Sequence, residues 1–168
     1  MNNNIDLVIF GARGDLSKRK LFPALYQLDK AGLLADSVRI AGVAREDMDS
    51  VSFIKQMHES LQATLDTADW DDVVWKKFSQ RLQYIRIDFS QKKQFSALKD
   101  WSLEKRTMIY YMATPPSIFG SICKHLDEAG CVGKTSRIVL EKPIGHDLHS
   151  SQEVNDTVGR YFPERNIY

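Results

Sequence analysis

"VIFGARGDL", Val8 to Leu16, decides the fold. From Ile5 to Phe10 the chain is apolar except for Asp6, the pattern of a central parallel strand buried on both faces. Gly11 and Gly14 then predict a tight strand-to-helix turn, with Asp15 or Ser17 as candidate caps for the helix that follows. That helix is expected to run to about Leu34, carrying Leu16, Leu21, Leu25 and Leu28 on related turns. Pro23 inside it implies a kink or a late restart.

Outward from this stretch, strand and helix patterns alternate. Further strands are expected at Val38–Ala44, Gln83–Phe89, Thr107–Ala113 and Ser136–Glu141. Helices are expected at about 52–65, 69–82, 91–101, 116–129 and 149–162, with Gly32 and Gly130 as stops. Such alternation argues for an α/β domain built on a doubly wound parallel sheet, Rossmann-like, with helices on both faces. The last residues, Asn166 to Tyr168, read as the onset of a sixth strand. The chain is therefore expected to be one dinucleotide-binding domain, 1–168, taken from a longer protein.

Composition narrows the class. At 168 residues the chain fits one domain of ordinary size. Lys and Arg total 23 against 22 Asp and Glu, so no net field draws it onto nucleic acid or an acidic membrane, and any anion site must be local. Two cysteines, Cys123 and Cys131, have neither metal-ligand spacing nor the density of a disulfide scaffold. No apolar run approaches the roughly 20 residues of a membrane span. A cytoplasmic protein with no metal, nucleic-acid or membrane partner is expected.

The glycine turn has two readings. Two glycines can simply permit a tight turn and close helix packing. In a doubly wound sheet, however, ligands bind beyond the carboxyl ends of the strands, and the first turn meets the phosphates at a helix N-terminus. The spacing is G-x-x-G-x-x-S rather than G-x-G-x-x-G. Arg45 favours the second reading. An NAD-selective domain ends its second strand in an acid for the ribose, whereas NADP calls for a cation at its 2′-phosphate. Here that strand ends in arginine, and Arg13 and Lys18 are candidates to join it. Arg19 and Lys20 read as a solvated helix face.

"FGARGDLSKRKLFPALYQL" (Phe10 to Leu28) together with "EKPIGHDL" (Glu141 to Leu148) resembles the N-terminal domain of the glucose-6-phosphate dehydrogenase family. "YYMATPPSIFGSI" (Tyr110 to Ile122) is similar to that family's fourth strand and Pro-Pro loop, and "GVAR" (Gly42 to Arg45) to its second strand end. The resemblance covers essentially the whole chain. It implies an NADP cofactor held by Gly11, Ala12, Arg13, Gly14, Asp15, Leu16, Ser17 and Lys18 at the phosphates and by Arg45 at the 2′-phosphate. Asp88 and Phe89 are implied near the adenine or ribose, and Tyr111 and the Ala113–Pro115 backbone beside the nicotinamide ribose. Arg13 departs from the small or hydroxyl residue more common in the family.

The resemblance also implies a role for Lys142, the lysine of E-K-P, in touching both sugar and nicotinamide, with Glu141 beside it and Lys142–Pro143 a candidate cis bond. It implies an enzyme that oxidises glucose 6-phosphate to 6-phosphogluconolactone in the oxidative pentose phosphate pathway, and an intact protein that is a homo-oligomer. The family takes its general base from a histidine of a second, catalytic α+β domain that is absent from these residues. His58, His125, His146 and His149 fall on expected helices or polar loops, His146 and His149 read as surface residues, and no catalytic residue is assigned in this chain, which alone is expected to be inactive. The alternatives are a stand-alone NADP-binding or sensing module and a fragment of a Gfo/Idh/MocA-type sugar oxidoreductase, which shares the E-K-P element.

Overall fold

In the computed structural model, which describes residues 4–141 and 148–168, the alternating pattern becomes a five-stranded sheet in the order β3-β2-β1-β4-β5, every pairing parallel. The strands are β1 (Ile5–Phe10), β2 (Arg39–Ala44), β3 (Leu82–Arg86), β4 (Thr107–Met112) and β5 (Arg137–Leu140). The helices are α1 (Phe22–Lys30), α2 (Ser50–Thr64), α3 (Asp72–Ser79), α4 (Ser96–Trp101), α5 (Phe119–Glu128) and α6 (Leu148–Gly159). The expected sixth strand is present as a parallel bridge between Ile138 and Ile167. There Tyr168 donates its N–H to Ile138 O at 2.9 Å and Leu140 donates to Tyr168 O at 2.8 Å.

Side-chain alternation along β1 divides the core into two layers. Val8 and Phe10 join Tyr110, Met112, Phe95, Leu98, Phe119 and Leu126 on the α4–α6 face. Ile9 joins Ile40, Phe22, Tyr26, Phe53, Met57 and Phe78 on the α1–α3 face. Phe10, Phe22 and Phe53 are each wholly buried, a gain of roughly 1.5–3 kcal/mol per side chain. This double covering is why β1 reads as a nearly continuous apolar run.

Asp6, the polar exception, is also wholly buried. It sits at the end of the sheet opposite the glycine turn. Its Oδ1 accepts from Arg39 Nε at 2.8 Å and from Arg106 Nε at 2.5 Å, and its Oδ2 accepts from Arg39 Nη2 at 2.5 Å. Burying a carboxylate is costly unless it is paired and hydrogen-bonded, and the two guanidiniums do both. The Arg39 guanidinium also stacks over Trp101 at 4.2 Å.

Element boundaries differ from expectation at several places, among them α1, which ends at Lys30, and α6, which ends at Gly159. The first helix opens as α at Asp15, where Lys18 donates its N–H to Gly14 O at 3.1 Å, and widens to a π-helical segment over Ser17–Leu21, in which Phe22 donates its N–H to Ser17 O five residues back. The helix continues into α1 without a break, Leu16, Leu21 and Phe22 all keeping right-handed helical angles, so Pro23 falls directly after the wide turn and does not mark a restart. α3 starts at Asp72 rather than near Asp69, because the Asp71 carboxylate caps it by accepting from the N–H groups of Val73 and Val74 at 2.8 and 3.1 Å. β3 ends at Arg86, with one further ladder bond from Ile87 N–H to Ala44 O at 2.9 Å.

Candidate dinucleotide cleft at the sheet's switch point

Strand order reverses between β1 and β4: from β1 the chain winds toward β3 on one side and later fills β4 and β5 on the other. The connections after β1 and β4 therefore part, leaving a crevice at their carboxyl ends.

The glycine turn forms one wall. Gly11 and Ala12 both donate their N–H groups to Val43 O, at 3.0 and 3.2 Å, hanging the turn on the end of β2. Gly11 has φ +82°, and a Cβ there would lie 2.3 Å from Ala113 O. Only glycine satisfies both the backbone angle and the close passage of the chain leaving β4. Gly14 donates to Gly11 O at 3.0 Å, and its own Cβ would meet that oxygen at 3.2 Å. Ser17 is buried, and its Oγ also donates to Gly11 O, at 2.9 Å. The hydroxyl thus braces the turn instead of capping the helix. Asp15 does not cap it either: it is itself the first helical residue, and its exposed carboxylate pairs with Arg19 at 2.9 Å.

The cleft has a volume of about 540 Å³. Gly11, Arg13 and Gly14 line it from the turn, Ala44, Arg45 and Glu46 from the end of β2, and Asp88 and Phe89 from beyond β3. Ala113, Thr114, Pro115 and Ile118 close it from beyond β4. Of the residues singled out from the sequence, Gly11, Arg13, Gly14, Arg45, Asp88 and Phe89 meet here. Ala12 is buried behind the turn. Asp15, Leu16, Ser17 and Lys18 lie along the helix start and are absent from the lining. Lys142 and His146 fall outside the described residues.

Charges in the cleft come in facing pairs. Arg13 Nη1 lies 3.1 Å from Glu46 Oε1, and Arg13 Nε donates to Gln56 Oε1 at 3.3 Å. The Asp88 carboxyl is held below the usual carboxylate range, first by the Ser90 N–H and hydroxyl that bond to it and then by the Arg45 charge. Tyr111, expected at the cofactor, donates its hydroxyl to Glu141 Oε2. Its phenol is pushed up to about 12, first by burial and then by that carboxylate.

Two cleft features had no side-chain role assigned from sequence. Thr114 Oγ1 is buried without a hydrogen-bond partner among the described residues, a state that a bound polar group would relieve. Glu46 follows Arg45 in the lining, and an acid at the end of the second strand is the signal for a ribose partner. Of the histidines, His58 packs against Trp70 and Trp75, and half-buried His125 contacts Phe89 O through Nδ1 at 3.2 Å. His149 is exposed, beside Glu153 at 3.5 Å. Among the described residues, no helix is long and apolar enough to cross a membrane.

Residues 8–168 match the family model "Glucose-6-phosphate dehydrogenase, NAD binding domain". The chain belongs to the glucose-6-phosphate dehydrogenase family. It is 42% identical over 164 residues to glucose-6-phosphate 1-dehydrogenase of Dickeya dadantii (strain 3937), covering 97% of this chain and 33% of that protein. The crystal structure of glucose-6-phosphate 1-dehydrogenase from Mycobacterium avium superposes with a TM-score of 0.90 at 32% identity, covering 98% of this chain and 35% of that one. A glucose-6-phosphate dehydrogenase in complex with its substrate glucose 6-phosphate gives 0.85 at 29% identity, over 98% and 36%. The chain thus spans about a third of the length of the curated relatives it matches.

Proposed function

We propose that this chain is the NADP-binding part of an enzyme that oxidises glucose 6-phosphate to 6-phosphogluconolactone in the oxidative pentose phosphate pathway of the cytoplasm. The observation that carries the reading is the cleft itself: a glycine turn at the switch point, faced by Arg13 and Arg45. Gly11 and Gly14 leave no side chain between the backbone and a pyrophosphate. Arg45, at the end of β2, is suited to a 2′-phosphate. Thr114 Oγ1, buried and without a hydrogen-bond partner among the described residues, fits a polar group of the same ligand.

The nicotinamide of bound NADP supplies the hydride acceptor for C1 of the sugar. The chain's own residues bind and orient. Ser17 and the Val43 carbonyl fix the glycine turn, so little backbone ordering is left for binding to meet. Tyr111 holds the Glu141 carboxylate directly before Lys142, the residue proposed to contact the sugar. Glucose 6-phosphate as substrate is supported by the names of the relatives and by the substrate complex of a structural neighbour.

Calorimetric titration of the chain with NADP and with NAD, repeated after Arg45→Ala, tests the reading. Tighter binding of NADP, lost in the variant by roughly the 1.5–3 kcal/mol of a charge-assisted hydrogen bond, is expected. Failure of the wild-type chain to bind either dinucleotide overturns it.

A further inference from the structure

Glu46 lines the cleft directly after Arg45, and its charge opposes that of the proposed ligand. Its backbone is fixed: Tyr84 donates its hydroxyl to Glu46 O at 2.8 Å, and Arg86 Nε donates to Arg45 O at 3.2 Å. Its side chain reaches across to Arg13, which is held from the other side by Gln56 of α2. The ion pair therefore spans the mouth of the cleft, from the glycine turn to the β2 exit.

The cleft carries both recognition devices at once. A cation after the second strand serves a 2′-phosphate, and an acid there serves a free ribose 2′-hydroxyl. Arg45 is the first, and Glu46, the next residue, is chemically the second. Counting Arg13 and Arg45 against Glu46 and Asp88, the lining has two cations and two acids and no net charge to offer. A 2′-phosphate carries close to two negative charges at neutral pH. To reach Arg13 it must displace the Glu46 carboxylate or sit beside it. A 2′-hydroxyl meets no such opposition and has in Glu46 an acceptor.

Resting on the NADP-cleft reading above, we infer that Glu46 is a specificity-determining residue that holds Arg13 and narrows the preference for NADP over NAD. Removing its charge frees Arg13 for the phosphate and deprives the ribose hydroxyl of its ionic acceptor. The two effects move the preference the same way.

The test is titration of the full chain with NADP and NAD for the wild type, Glu46→Gln and Arg13→Ala. Glutamine keeps the length and an oxygen for Arg13 while removing the charge. Glu46→Gln is expected to raise the ratio of the NAD to the NADP dissociation constant about tenfold, the scale of one partly screened charge pair. Arg13→Ala is expected to lower that ratio, because Glu46 then stands unpaired against the phosphate. Both side chains are partly exposed, at 25% for Arg13 and 43% for Glu46, so the variants should keep the wild-type unfolding midpoint. A ratio unchanged or lowered by Glu46→Gln overturns the inference while leaving the NADP cleft standing. A wild type that binds neither dinucleotide overturns the cleft reading, and this inference with it.

Discussion

The Tyr111 hydroxyl donates to Glu141 Oε2, so the exit of β4 is tied to the residue that follows β5. Tyr111 is half-buried and absent from the cleft lining. Folding raises its ionisation from the ordinary 10.0 to about 12. The unfolded chain thus loses this proton first, and stability contributed by the neutral phenol is complete below pH 10 and lost as the pH rises toward 12. Spectrophotometric titration should show a tyrosine ionising near pH 12 in the wild type and missing from Tyr111→Phe. An unchanged alkaline limb in the variant would refute the assignment.

Gly11→Ala should be among the costliest single changes in the chain. It places a Cβ 2.3 Å from Ala113 O and forces φ +82° on an L-residue. Strain of this kind costs about 1–3 kcal/mol before the clash is relieved. Denaturant unfolding should show a loss of at least about 2 kcal/mol. Gly32 also has positive φ, but nothing lies within 4 Å of its would-be Cβ, so Gly32→Ala should cost less.

Asp6→Asn should destabilise the fold by roughly 3–5 kcal/mol, the usual result of removing one partner of a buried ionic network. The change leaves Arg39 and Arg106 facing a neutral amide at a position with no solvent access. Dinucleotide binding by the fraction that remains folded should be unaffected, since Asp6 lies at the opposite end of β1 from Gly11. Unfolding curves and calorimetry at a permissive temperature separate the two quantities.

Asp88 gives a pH signature at the cleft. Its pKa is lowered in the folded state by the Ser90 N–H and hydroxyl and by Arg45. The contribution is therefore present above the unfolded pKa near 3.9 and lost as the pH falls through the lower folded value. Ser90→Ala removes one of the two Ser90 bonds and should move the Asp88 pKa upward, as read by NMR titration of its carboxyl carbon. No movement would mean that the Ser90 hydroxyl bond at 2.8 Å does not persist in solution.

The layers of this fold are legible in the sequence because they rest on local pattern. Leu7 to Phe10 is apolar because helices cover both faces of β1, and the strands nearest it alternate or run apolar for the same reason. Gly11 is legible because a positive φ admits few other residues. The Arg13–Glu46 pair is not, since two residues 33 positions apart meet only through the pairing of β1 with β2. The same holds for Asp6: its polarity is visible within the run, but its partners lie on β2 and just before β4. The start of α3 is not legible from propensity, because the Asp71 side chain sets it.

The π-helical segment specifies a length. With Phe22 bonded to the carbonyl of Ser17, one wide turn keeps two duties in phase: the Ser17 hydroxyl reaches back to Gly11 O, while Phe22, wholly buried, faces the α1–α3 core. An α-helix advances about 100° per residue. Dropping one residue between Ser17 and Phe22 would close the wide turn to an α turn and keep both duties in phase, whereas adding one would rotate one of the two out of place by about that angle, whatever residue was chosen. The length is thus an upper limit, and a tolerated substitution at Lys18, Arg19 or Lys20 says nothing about a tolerated insertion.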